Sequence, residues 1–197
     1  MRRICNALVE LAAAAVFLLP LGCIGNRLCF HSRKRTAAYL LFAFYLTAVL
    51  ALVGFPDITT LKMEPAVNAI PFIYMKEDFA NACLNVLLFV PFGFFLPVLW
   101  QRFRSAKSLL AAGLTATVLI ELSQLFTGRT TDIDDVITNA AGALAGYWMA
   151  RRLTRDFERG VLSGAPTRDF YVLCIAAAAV MFFLQPFLSS RLWELVP

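Results

Sequence analysis

Glu121-Leu-Ser-Gln-Leu-Phe-Thr-Gly-Arg-Thr-Thr-Asp-Ile-Asp-Asp-Val-Ile-Thr-Asn-Ala-Ala-Gly142 decides how this chain is read. It holds four acids (Glu121, Asp132, Asp134 and Asp135), one arginine (Arg129), Gln124 and Asn139, and it lies between two apolar runs. Ionisable groups next to hydrocarbon are costly unless they pair or face water, so such a cluster marks a functional site. The chain around it is 60% hydrophobic and 16% charged, with a mean hydropathy of +0.71. A soluble domain is nearer 45–50% apolar, with about 25% charged residues. The excess is more than a buried core needs, and it points to an integral membrane protein.

Outward from the cluster, six apolar runs approach the roughly 20 helical residues that cross a bilayer. They lie near 6–25, 37–55, 80–100, 108–126, 132–150 and 169–188. The expected fold is therefore all-α, a polytopic membrane helix bundle of about six transmembrane helices. Arg2 and Arg3 before the first run imitate a signal peptide, and Leu21-Gly22-Cys23 imitates a lipoprotein cleavage box. Pro20 stands where that box needs an aliphatic residue, and cleavage would invert the downstream charge pattern, so a retained helix is expected. In the fifth run, counting back from Arg151 over about 20 residues reaches Asp132, which places all three aspartates in the first helical turn.

Orientation follows the Lys/Arg bias of short loops. With the N terminus outside, the segments 26–36, 101–107 and 151–168 fall inside and carry twelve of the eighteen basic residues. Both termini and the 121–142 cluster are then expected outside. The segment 56–79, in which Pro65 and Pro71 block a continuous helix, reads as an interfacial or re-entrant piece over the outer mouth. The stretch 151–168, with Gly160, Gly164 and Pro166, is the most linker-like. The organisation expected is a first helix and basic loop over 1–36, a four-helix core over 37–150, and a basic linker with the last helix over 151–197.

The net charge of +5 sits in clusters between apolar runs, so it sets topology and does not mark a nucleic-acid surface. Five cysteines without a C-x-x-C pair and a single histidine, His31, offer no recognisable metal set or disulfide framework. No cofactor is expected.

Helical spacing sharpens the site. Residues at i, i+3 or i+4, and i+7 share a helix face. Asp78, Asn81 and Asn85 do so on the third run, Thr117, Glu121 and Gln124 on the fourth, and Asp132, Asp135 and Asn139 on the fifth. At about 1.5 Å per residue, Glu121 lies roughly 21 Å from Lys107, Asn85 roughly 25 Å from Arg102, and Asn139 roughly 18 Å from Arg151. Three polar stripes at one depth suggest a shared cavity open to the outside. Arg129 is its one permanent cation, suited to neutralising Asp132 or Glu121 and to gripping carboxylate or phosphate oxygens. Asp78 and Asp132 also suit helix caps, and Asp134 fits a solvated cap residue. Asn81 and Asn85 also suit hydrogen-bonding glue between helices, the less favoured reading. Gly142-Ala-Leu-Ala-Gly146, extended by Thr138, reads as a close helix contact, and Pro91 with Gly93 as a kink in the third helix.

The ordered set Asn85-x-x-Leu88-Phe89-x-Pro91-Phe92-Gly93 and Glu121-x-x-Gln124-x-Phe126-x-x-Arg129-x-x-Asp132-x-x-Asp135-x-x-x-Asn139-x-x-Gly142-x-x-x-Gly146 resembles the signature of the VanZ-like membrane proteins. Asn68-x-x-Pro71-Phe72 is similar to that family's upstream loop element, and the likeness spans about residues 37 to 150. The resemblance implies a multi-pass protein of the bacterial cell membrane, in a class linked to glycopeptide and notably teicoplanin resistance. Carried over, the motif residues are Asn85, Glu121, Gln124, Arg129, Asp132, Asp135 and Asn139.

Two functions fit these residues. One is a non-enzymatic protein, with membrane lipids around it, that binds an envelope lipid head group or peptidoglycan precursor through Asn81, Asn85, Glu121, Gln124, Arg129, Asp132, Asp135 and Asn139. The other is an enzyme on a lipid-linked substrate with Glu121 as general acid or base. A divalent cation on Asp132, Asp135 and Glu121 is conceivable, but no nucleophile–base pair is evident. The polar stripes stop in the outer third, which argues against a conducting path.

Overall fold

A computed structural model describes residues 2–63, 66–72, 79–153 and 165–193. Asp78, and residues 154–164 of the linker-like stretch, lie outside the described residues. In chain order the elements are α1 (Arg2–Gly25), α2 (Arg33–Val53), β1 (Ala66–Asn68), α3 (Phe79–Leu99), α4 (Ala106–Gln124), β2 (Thr130–Asp132), α5 (Ile133–Leu153), α6 (Thr167–Ala179) and α7 (Gln185–Trp193). The fold is an all-α helical bundle to which one pair of three-residue strands is added.

Each of the six apolar runs is helical. Among the described residues, five helical stretches are long and apolar enough to cross a membrane: Asn6–Gly25, Arg33–Val53, Phe79–Leu99, Ala106–Gln124 and Thr167–Leu192. The last runs through α6, a π-helical turn at Val180–Leu184, and α7. At about 1.5 Å per residue α5 is of similar length, roughly 31 Å, but Asp134 and Asp135 at one end and Arg151 and Arg152 at the other make it more polar. Helix starts are fixed locally. The Ser32 side chain accepts the Arg35 amide at α2, and that of Ser105 accepts the Ser108 amide at α4. Gly54, at φ 70°, closes α2 in the left-handed conformation that a C-terminal stop favours.

The chain divides into two compact units, one formed by 1–62 with 168–197 and the other by 63–167. In the first, α1 packs on α2 and α7 around Ala14, Leu18, Ala43, Val180 and Met181. The buried Tyr39 hydroxyl donates to Asp169 Oδ2 at 2.9 Å. Phe30 meets the Tyr39 ring edge-on, and Phe42 lies against Phe170. The π turn is anchored from the loop after α2, where the Ile58 amide donates to the Phe182 carbonyl.

The second unit is built on the contact between α3 and α5. A methyl group on Gly142 would strike the Val86 carbonyl, one on Gly146 the Val90 carbonyl, and one on Gly93 the Ala143 carbonyl. The two backbones therefore touch without side chains between them, as small residues permit in membrane helices. The G-x-x-x-G is a packing seam, as its spacing predicts. α3 is helical from Phe79 to Leu99 through Pro91 and Pro97, and Gly93 completes the seam. At the far end of α3, the buried Tyr147 donates to the Arg104 carbonyl at 2.9 Å.

Two further features depart from the sequence reading. Asp132 is not in the first turn of α5 but in β2, immediately before it. The 56–79 segment contributes a strand, with β1 pairing parallel to β2 in the register Ala66–Thr130, Val67–Thr131 and Asn68–Asp132.

Candidate functional site

All of the site's elements belong to the 63–167 unit. Helical spacing puts Thr117, Glu121 and Gln124 on one face of α4, and all three are buried, Glu121 to 3% exposure. Beyond Gln124 the chain turns through Thr127, whose amide and hydroxyl both donate to the Gln124 carbonyl, and through Gly128 at φ 66°. This turn returns the chain as β2 alongside the end of α4.

There Glu121 is gripped twice. The Asp132 amide donates to its Oε2 at 2.9 Å, and the Thr131 hydroxyl donates to its carbonyl at 3.0 Å. A hydrogen bond to a carboxyl oxygen in a water-poor setting is costly to leave unmade. Asp132 in turn caps α5, since its Oδ1 accepts the Asp134 amide at 2.9 Å while its Oδ2 accepts Asn68 Nδ2 at 3.1 Å.

One turn along α5, Asp135 accepts Asn85 Nδ2 of α3 at 2.6 Å. One turn further, Asn139 donates through Nδ2 to the Thr117 hydroxyl of α4 at 2.8 Å. Asn139 Oδ1 is buried and has no hydrogen-bond partner among the described residues. The stripes expected on three helices thus meet in layers: Glu121 with Asp132 and Asn68, Asp135 with Asn85, and Asn139 with Thr117.

Arg129 stands exposed at the turn before β2, and its charge acts on Glu121, as do those of Asp135 and Asp132. Asn81 is exposed on the first turn of α3. Gln124 is buried at the end of α4. Among the described residues, no group of three or more His, Cys, Asp or Glu side chains is arranged to hold a metal ion. The acids that could have done so are engaged with amides instead.

Sequence reasoning missed two partners. Asp134 is not a solvated cap: it is 8% exposed, and both its oxygens accept the Phe72 amide, at 2.8 and 3.1 Å. Asn68 holds Asp132 from a strand that spacing could not reveal. The signal for both was the Asn68-x-x-Pro71-Phe72 element, which was legible as a pattern but not as a contact.

A family model described as VanZ/LLP1 matches residues 36–154, from the start of α2 to the end of α5. The chain belongs to the VanZ-like family. The match contains every residue of the site, so this VanZ-like protein carries its polar layers within the shared part of the chain. Neither the curated proteins nor the solved structures contain a match to it.

Proposed function

We propose that this VanZ-like membrane protein binds or modulates a cell-envelope ligand, a lipid head group or a peptidoglycan precursor, at the end of its bundle where Arg129 lies. By the positive-inside bias that end faces outside, with α5 as the fifth of six crossings and both termini outside. The observation that carries the reading is the division of labour between Glu121 and Arg129. The Glu121 carboxylate is buried and held by the Asp132 amide, and Arg129, exposed at the turn before β2, acts on it through its charge. A guanidinium so placed can present its planar fork to carboxylate or phosphate oxygens. Asn139 Oδ1 offers a buried acceptor to a donor group of the ligand. Teicoplanin-type glycopeptide resistance is the phenotype this reading anticipates.

A second reading, an enzyme acting on a lipid-linked substrate, draws on the same carboxylate. Glu121 is buried, oriented by a main-chain amide and flanked by Asp132 and Asp135, a setting suited to a general acid or base.

Teicoplanin and vancomycin susceptibility of cells carrying wild type, Glu121→Gln or Arg129→Ala, at matched membrane abundance, tests both. Gln retains an oxygen for the Asp132 amide, so the variant is expected to fold. The expected result is a teicoplanin-selective rise in resistance with wild type that is lost in both variants. Full activity in Arg129→Ala would defeat the anion-binding reading. Retention of a co-purifying ligand by an inactive Glu121→Gln protein would turn the choice toward the enzyme.

A further inference from the structure

Met63 and residues 66–72 combine two properties rarely found together in a loop. Their apolar side chains point outward, with Met63 76%, Val67 65%, Ile70 61% and Phe72 58% exposed. Several of their backbone amides are nevertheless provided for from within. The Ile70 amide donates to Asn68 Oδ1 at 3.2 Å, Pro71 has no amide hydrogen, and the Phe72 amide donates to the buried Asp134. The β1–β2 pairing engages the backbone of 66–68 in the same way.

In water neither property is needed, because solvent satisfies loop amides and penalises exposed apolar groups. At a bilayer edge both are required. Unsatisfied amides are expensive where water is scarce, and apolar side chains gain by entering the acyl boundary. The backbone conformation points the same way. Phe72 sits at φ 65°, a left-handed conformation that is uncommon for a bulky residue and is held by its surroundings. The surroundings here are the two Asp134 oxygens, so a buried carboxylate fixes the direction in which the Phe72 ring leaves the chain. Seven residues later α3 begins with Phe79, itself 65% exposed, at the start of a helix able to cross a membrane. The segment therefore precedes, in the sequence, a helix able to cross a membrane.

We infer that residues 66–72 are seated in the interface of the bilayer, with Ile70 and Phe72 as anchors, and that Asp134 and Asn68 latch the segment in that pose. The occupant of the exposed apolar surface is lipid. The proposal stands apart from the ligand reading, because it concerns how the loop is held at the membrane whatever the site binds.

The full chain, stripped of its native cysteines and placed in nanodiscs, provides the test. Single cysteines at Met63, Ile70 and Phe72 carry a nitrobenzoxadiazole label, with Gln101→Cys, an exposed position between α3 and α4, as reference. Labels at 70 and 72 are expected to be quenched by lipids bearing a nitroxide near the head group, and several-fold less than position 101 by aqueous iodide. Iodide quenching at 70 and 72 equal to that at 101, without nitroxide quenching, would overturn the proposal. Met63→Cys replaces a highly exposed side chain outside the latch, so its label reports even if substitution at 70 or 72 disturbs folding. Iodide-accessible and nitroxide-silent behaviour at 63 would count against the proposal in the same way.

Discussion

The two units of this protein solve helix packing in different ways. In the 1–62/168–197 unit, helices meet through side chains: alanines, a leucine, a valine and a methionine at the centre, aromatic rings edge to face, and a buried tyrosine–aspartate bond. In the 63–167 unit, α3 and α5 meet backbone to backbone at three glycines, and polar side chains bridge α3, α4 and α5 in layers. Side-chain contacts can yield, because rotamers shift; backbone contacts cannot. The unit that carries the site is thus the one whose geometry tolerates least adjustment. A site assembled from three helices requires that, since its groups must hold their positions within a fraction of an ångström.

The largest effect that would sharpen this contrast is expected from Gly146→Val. Its Cβ has no room beside the Val90 carbonyl, and overpacking against backbone should cost about 3 kcal/mol or more. Loss of a monodisperse, thermally cooperative protein in detergent is the expected readout. A variant as stable as wild type would mean that the seam can open. Tyr39→Phe should have a smaller effect in the other unit. It leaves the buried Asp169 without its hydroxyl donor, at a cost of about 1–2 kcal/mol. Its thermal midpoint should fall, while glycopeptide susceptibility at matched abundance stays that of wild type. If the phenotype vanished as it does in Glu121→Gln, function would not be confined to the polar layers. Gly22→Ala should have the smallest effect. The new methyl meets Cδ2 and Cγ of Leu40, side-chain atoms that a rotamer shift can move away, and alanine's helix propensity gains roughly 1 kcal/mol over glycine in compensation. A stability change within about 1 kcal/mol of wild type would mark side-chain packing as the forgiving kind. A collapse like that of Gly146→Val would erase the distinction between the units.

Much of this architecture was legible in the sequence for a physical reason. Apolar runs of spanning length report helices directly, because the bilayer demands both length and composition. The stripes through Asn85, Glu121 and Asn139 could be read because helical geometry converts spacing into a shared face, and the small residues at 138, 142 and 146 because their periodicity is the same. The β1–β2 pair could not be read. Three residues give too little alternation to register, and nothing local links Asn68 to a partner more than sixty positions away. The placement of Asp132 failed with it, since counting back from Arg151 cannot see that a strand pairs ahead of the helix. Asp134 looked like a solvated cap because its burial depends on the Phe72 amide, a main-chain group with no signature of its own.

The glycine seam also fixes the height of the site. The Val86 and Val90 carbonyls, four residues apart on α3, seat on Gly142 and Gly146, four apart on α5. Slip α3 by one turn, about 5.4 Å, and one of these carbonyls must leave its glycine for the side chain of Thr138 in one direction or Ala150 in the other. The seam works as a key with two teeth that enters its lock at one depth only. Asn85 meets Asp135 because two glycines, two and three turns further along α5, have already set the register.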